Sequence, residues 1–466
     1  MSERKIKSVH ITNYYHRHSG GISTSYNNLM AAAERHRRYV RLIVPGEVEE
    51  TEDVNEFAKV YYVPAKQSPV FDKRYRVLMP WHYMPANSII RRILLAEMPD
   101  MIEITDKYTL SFFGRMSRKK GFQEIGRPML VHFSCERMDD NIGSFLSNGR
   151  FWQWFGRRVM SNYTLPSFDY HIANSDYTAE EFYDSLSHEK NSGRSANFLN
   201  WCWQYFAAPR VPVDQRIFVC PRGVNTSRYY PHQSAEVRRM MRERAGIPED
   251  STVLLYAGRI SPEKNVGLLI DVMRELADDK GRDYRLLIAG AGPQAEWLKE
   301  EGESSFPGKM IMVGHLDRDT LSDYYSNADI FVHPNPKEPF GIAPLEAMAS
   351  GVPTVAPNSG GILSYATNDN AWLVEPTGLA FAAAIREVMD NDELRESKVA
   401  HALETARTNT RETSTDRLFA TYDRMWKDFN VRNELFTDID GSKHFDFVNN
   451  VLNGHVAGSY TTTASD

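Results

Sequence analysis

The chain has 466 residues, of which 42% are hydrophobic and 25% charged, enough for two or three domains with separate cores. A net charge of −6 gives no general basic character for nucleic acid, so no nucleic-acid partner is expected. Three cysteines, Cys135, Cys202 and Cys220, without a CxxC pair, argue against a disulfide framework or structural zinc. In chain order, the amino-terminal "MSERKIKSVHITNYY" carries no apolar leader and runs into a first strand, and no run approaches the ~18 apolar residues of a membrane span. The expected location is cytoplasmic.

Candidate strands follow as "KSVHITNYY", "YVRLIVPG", "MIEITD", "PMLVHFS", "YHIANS" and "RIFVCPRGV". A polar border, after Gly223 and before Thr252, leads to a second set: "TVLLYAG", "YRLLIAG", "MIMVG", "ADIFVHP", "PTVAP" and "AWLVEP". Helical spacing between them, as in "NVGLLIDVMRELADD", predicts parallel sheets covered on both faces. The fold class is therefore α/β. The expected domains are residues 1–225, 226–412 and an extension, 430–466, partly disordered; Leu418, Tyr422 and Trp426 mark a helix over about 413–429. Two such domains imply a cleft between them.

Ligands of open parallel sheets sit beyond the carboxyl ends of the strands. After "TVLLYAG" comes "RISPEKN", which places Arg259 and Lys264 beside a helix start, a pairing suited to a diphosphate and equally to two solvated loop cations. "GAGP", with Gly290 and Gly292, is by itself a tight turn. The stretch "KEPFGIAPLEAMASGVPTVAPNSGGI" sets Glu338 and Glu346 eight positions apart. A carboxylate accepting from neighbouring hydroxyls grips a sugar, and two acids too far apart to pair would hold different parts of one extended ligand. The amides of Phe340, Gly341 and Ile342, expected to begin a helix, would face the same place. A nucleotide sugar presents sugar, diphosphate and ribose in that order.

These motifs, with "GRISPEKNVGLLIDV", "LLIAGAGP" and the glycine pair of "RHSGGISTSYNNLM", resemble the retaining family 4 glycosyltransferases over residues 5 to about 428. The resemblance implies the GT-B architecture, two facing Rossmann-like domains with an interdomain cleft, in which the helix over about 413–429 returns to the first domain. It implies Glu338 on the transferred sugar, Phe340, Gly341 and Ile342 on sugar and phosphates, and Glu346 on the ribose. Arg259 and Lys264 would hold the diphosphate, and Gly20 and Gly21 would let a loop approach it. Gly314, His315 and Leu316 would meet the base. No Asp-x-Asp pair stands in a suitable context, so metal-independent transfer without a cofactor is expected; the resemblance implies retention of anomeric configuration by front-face attack. Within the family, "MLVHFSCERMDDNIGSFL" is similar to the phosphatidylinositol mannoside mannosyltransferase subgroup, with Cys135 where a histidine is expected; His132 is the alternative for that role, against a packed strand histidine. GDP-mannose is the first donor and UDP-hexose the second, with a glycan or glycolipid acceptor.

Two basic segments bear on that acceptor. "KQSPVFDKRYRVLMPW" and "GRFWQWFGRRVM" interleave cations with aromatics, as in a peripheral membrane contact. For the second, an amphipathic helix with its aromatics in the core and its arginines solvated is the favoured reading. The insertion-like "HEKNSGRSANFLNWCWQYFAAPRVPVDQ" could shape the acceptor site, pair subunits or cover the first sheet. The rivals to the glycosyltransferase reading are an epimerase or dehydrogenase, for which a G-x-G-x-x-G with a downstream acid is missing, a phosphorylase, for which a cofactor lysine is missing, and a non-catalytic sugar- or lipid-binding relative.

Overall fold

The computed structural model describes residues 5–15, 21–68, 76–140, 150–187, 191–277, 279 and 281–452. Within it the chain divides into two units, one of Met1–Ala173, Thr178–Val219 and Phe419–Asp466, the other of Asn174–Tyr177 and Cys220–Leu418.

The first unit is built on an eight-stranded sheet. Its strands are β1 (Ser8–Ile11), β2 (Val40–Gly46), β3 (Glu50–Asp53), β4 (Ala58–Pro64), β5 (Met101–Ile104), β6 (Met129–Ser134), β7 (Tyr170–Ala173) and β8 (Ile217–Val219), in the order β3-β4-β2-β1-β5-β6-β7-β8. All pairings are parallel except the β3–β4 hairpin. That hairpin escapes sequence reading because β3 reads Glu-Thr-Glu-Asp and is wholly exposed. A charged strand of this kind protects the sheet edge from pairing with another chain.

The second unit holds a six-stranded, all-parallel sheet: β9 (Thr252–Ala257), β10 (Tyr284–Ala289), β11 (Met310–Gly314), β12 (Ile330–Val332), β13 (Thr354–Pro357) and β14 (Trp372–Val374), in the order β11-β10-β9-β12-β13-β14. Each coincides with an expected strand. The two-residue period of β9 sorts its side chains between two cores: Val253, Leu255 and Ala257 into one, Leu254 and Tyr256 into the other. In register beside it, β10 sends Leu287 and Ala289 to the first core and Leu286 and Ile288 to the second. Burial on both faces is why these strands read as continuous apolar runs.

One helix, Arg411–Val431, replaces the expected 413–429. Its buried row in the first unit is Phe419, Tyr422, Met425 and Phe429, while Leu418 and Trp426 are only partly buried. Tyr422 donates to Glu103, whose other oxygen lies 2.9 Å from His10 Nδ1. After it come two short helices, Asn433–Thr437 and Ile439–Lys443, and this end of the chain meets the insertion: Ser442 Oγ donates to the Ala208 carbonyl at 3.0 Å, Phe447 N to Asn200 Oδ1 at 2.8 Å, and Gln204 Nε2 to the Phe445 carbonyl at 3.1 Å. The carboxyl-terminal extension and the insertion-like segment thus pack on one another.

The Arg150–Val159 helix reverses the expectation of aromatics in the core. Phe151, Trp154 and Phe155 are 61%, 51% and 42% exposed, while Arg157 lies 3.5 Å from Asp139 and Arg158 donates to Asn191 Oδ1 at 2.7 Å. Of the other basic segment, residues 69–75 lie outside the described residues, and Arg76 pairs with Glu47.

Candidate donor site in the second unit

Three segments at the carboxyl ends of β9, β11 and β12 build the site. After β9 the chain turns through Arg259 into a single 3-10 turn, Pro262–Lys264, and leaves it by Asn265 in a left-handed conformation (φ 53°). Asn265 Nδ2 donates to the Pro334 carbonyl at 2.9 Å, tying this turn to the loop after β12. That tie positions Lys264: its Nζ lies 2.8 and 3.1 Å from the two carboxylate oxygens of Glu338. Asn335 Nδ2 donates to the same carboxylate at 2.9 Å, and His333 Nε2 stands 3.8 Å away.

These partners set the charge of Glu338. Burial alone would raise its pKa, but Lys264, His333 and Asn335 outweigh that cost and hold it down to about 2. His333, buried and beside Lys264, is pushed down to about 4 despite the attraction of Glu338, so at neutral pH it is uncharged. The loop that presents Glu338 is closed by a backbone bond from Gly361 N to the Glu338 carbonyl at 2.6 Å and by Ser359 Oγ donating to the Pro336 carbonyl at 2.9 Å.

The helix after this loop is Ile342–Ala349, preceded by Gly341 at φ 83°. It starts at Ile342; Phe340 and Gly341 lie ahead of it, a correction to the expected start. The Phe340 side chain is core, packed on Tyr365 at 5.2 Å between ring centres, and the Tyr365 hydroxyl donates to the Gly341 carbonyl. Among the described residues no side chain caps the helix, which leaves its first-turn N–H groups without a side-chain acceptor there. Gly341 is required twice over: its positive φ disfavours any side chain, and a Cβ would lie 2.6 Å from Ile362.

Glu346 sits in the second turn of that helix, half-buried. Tyr325 donates to it at 3.3 Å, and Tyr229 also hydrogen-bonds it. Burial dominates here and raises its pKa to about 7, against the two tyrosines and the more distant Arg318 and Arg228. The two acids of one motif are therefore shifted in opposite directions, Glu338 down to about 2 and Glu346 up to about 7.

Arg259 stands 3.8 Å from Glu263, which accepts from Ser261 Oγ at 2.6 Å, and its carbonyl accepts from the Tyr256 hydroxyl at 2.8 Å. Gly314 ends β11 at φ 73° and its carbonyl accepts from Gly290 N at 2.7 Å; His315 beyond it is exposed and Leu316 half-buried. Gly290 is a close-packing position as well as a turn, since a Cβ there would lie 1.8 Å from the Gly258 carbonyl oxygen.

The remaining expected site residues belong to the first unit. Gly20 lies outside the described residues, and Gly21 is the exposed first residue of the Gly21–His36 helix. His132 is wholly buried within β6, its ring against Phe168 and Phe182 and its Nδ1 3.3 Å from His171 Nδ1. Burial and the nearby Lys107 push its pKa well below the ordinary value. It is a packed strand histidine, because its position in the strand directs the ring into a core face rather than beyond the strand end. Cys135 is half-buried just after β6.

Sequence reasoning missed Asn335, His333, Tyr325 and Tyr229. The "HPNPKE" turn, with a polar residue between prolines three positions before Glu338, was a signal for Asn335; the two tyrosines come from distant segments and left none.

The profile of the family described as Glycosyl transferases group 1 matches residues 237–404, which contain both acids and both cations. A curated relative, the GDP-mannose-dependent alpha-(1-6)-phosphatidylinositol dimannoside mannosyltransferase of Mycobacterium tuberculosis, is 27% identical over 401 residues, 85% of this chain and 91% of its own. Among solved structures, the sucrose-phosphate synthase of Thermosynechococcus elongatus aligns at a TM-score of 0.68 with 16% identity, over 91% of this chain and 100% of its own. Anabaena HepE in complex with UDP and glucose aligns at 0.62 with 16% identity, over 90% and 100%. The fold is that of the GT-B glycosyltransferases, and residues 237–404 match the profile of the Glycosyl transferases group 1 family.

Proposed function

We propose that this chain transfers a hexose from a nucleoside diphosphate sugar to a hydroxyl of a glycan or glycolipid acceptor, with retention of anomeric configuration and without a metal ion. The observation that carries the reading is the ionised Glu338, clamped by Lys264 and Asn335 next to an uncapped helix start. Cleavage of the anomeric carbon–phosphate bond builds positive charge on the sugar and negative charge on the leaving diphosphate. Lys264 is placed to exchange part of its contact with Glu338 for a phosphate oxygen, and Arg259 to add a second cation. Glu338 then has acceptor capacity for sugar hydroxyls, and Glu346, in its ionised form, for the ribose.

GDP-mannose is the first donor, supported by the GDP-mannose dependence of the mycobacterial relative. A UDP-hexose is the second, supported by the UDP and glucose held by HepE on the same fold. The test is thermal stabilisation by GDP, UDP, ADP and their sugar conjugates: a ligand at 100 times its dissociation constant adds about 2.7 kcal/mol. The expected result is a shift with one base that disappears in Glu346→Ala and Arg259→Ala; no shift with any nucleotide would sink the donor-site reading. Anomeric analysis of the product by NMR tests retention, and undiminished turnover in EDTA tests metal independence.

A further inference from the structure

The Arg194–Tyr205 helix, which lies in the insertion-like segment of the first unit, has two very different faces. Its inner face carries the buried Leu199, Cys202 and Trp203; Trp203 donates to the Ser161 carbonyl at 2.9 Å and packs on Phe447 of the carboxyl-terminal extension. Its outer face carries Phe198, Trp201 and Tyr205, at positions i, i+3 and i+7 of one stripe. These are 54%, 53% and 41% exposed, and they stack in a row with ring centres 5.7 and 5.3 Å apart. The inner face is already satisfied, so the outer row is not a core awaiting burial within the described chain. An apolar row of this kind on a soluble surface marks an interaction site.

Charge selects the occupant. Arg115 lies over the Tyr205 ring at 4.1 Å and Lys119 at 4.9 Å, and among the described residues neither has a carboxylate at ion-pair distance. Lys443 adds to the positive field at Lys119, although it is itself paired with Asp440. A second copy of the chain docked face to face through this row would set these cations against their own duplicates. An anionic surface, by contrast, receives both the cations and the aromatic rings, and tryptophan and tyrosine favour the headgroup level of a bilayer.

We propose that the outer face of the Arg194–Tyr205 helix docks on an anionic lipid bilayer, with Phe198, Trp201 and Tyr205 entering the headgroup region and Arg115 and Lys119 meeting the lipid charge. The inference rests on this face alone and not on the donor site of the second unit.

The experiment is co-sedimentation of the full chain with vesicles of phosphatidylcholine alone and of an equal mixture with phosphatidylglycerol. Binding to the mixed vesicles only, weakened by added salt, is expected. Phe198→Ser/Trp201→Ser should abolish it at an unchanged melting temperature, since both side chains are more than half exposed. Lys119→Gln should weaken it about fivefold, the loss expected for one cation near such a surface. Failure to bind mixed vesicles, or binding that survives the double serine variant, would overturn the proposal. So would a dimer in sedimentation velocity that the double variant dissociates, which would assign the row to a second copy.

Discussion

Lys264 Nζ and the Glu338 carboxylate, 74 residues apart in the chain, form a two-oxygen ion pair at 2.8 and 3.1 Å. Lys264 helps to hold the Glu338 carboxylate ionised beside the helix start, and in the proposed reaction this contact orients the cation before a diphosphate arrives. Lys264→Ala should lower turnover about 100- to 1000-fold, the usual cost of losing one preorganised group that stabilises transition-state charge. Steady-state kinetics with the donor identified by thermal shift check this, and wild-type turnover would remove Lys264 from the reaction.

Glu346 gives a pH signature. In the proposed function a ribose hydroxyl donates to the ionised Glu346 carboxylate, whose pKa in the free protein is raised to about 7. Nucleoside diphosphate affinity should therefore rise by up to about tenfold per pH unit below 7 and level off above it, with a proton released on binding. Titration calorimetry in buffers of different ionisation enthalpy reads both effects. In Glu346→Gln the affinity should be lower and flat over this range; an unchanged slope would assign the proton elsewhere.

Gly361 tests the closure of the Glu338 loop. A Cβ at this position would lie 1.9 Å from the Pro339 carbonyl oxygen, a backbone atom that cannot swing aside. Gly361→Ala should cost about 1–3 kcal/mol, the range for overpacking, and should also weaken nucleotide binding by displacing Glu338. Gly267→Ala is the control: its nearest neighbour would be Trp297 at 3.7 Å, at the start of a helix, and its melting temperature should match or slightly exceed wild type.

In the first unit, Asp169 is fully buried and accepts from Arg127 at 2.7 and 2.8 Å, from Arg118, and from Leu130 N at 2.8 Å. Burial raises its pKa, but the two arginines prevail and hold it below the ordinary carboxylate range. A carboxyl held down in the folded state contributes stability above its unfolded pKa, and that contribution is lost as the pH falls through the folded value. Asp169→Asn leaves Arg118 buried without its counter-ion and should cost about 3–5 kcal/mol in urea unfolding at neutral pH. The difference from wild type should narrow in acid.

The sequence by itself determined the strands of both sheets apart from the β3–β4 hairpin, because strands covered on both faces read as short, mainly apolar runs and each ends at a glycine, proline or polar turn. It also determined which loops hold Arg259, Lys264, Glu338 and Glu346, because strand and helix alternate and place those loops at one edge of the sheet. Only the tertiary structure decided what these residues touch. The Lys264–Glu338 pair and the tyrosines around Glu346 join segments whose separation in the chain carries no information about distance, and those contacts set one acid near pKa 2 and the other near 7. It likewise decided which face of a helix is inside. The Arg150–Val159 helix shows arginines and aromatics in the same spacing whichever way it turns, and its orientation depends on Asp139 and Asn191, which lie elsewhere in the chain. For His132, alternation along β6 places the ring on one side of the sheet, but only the residues packed there, Phe168, Phe182 and His171, make that side a core.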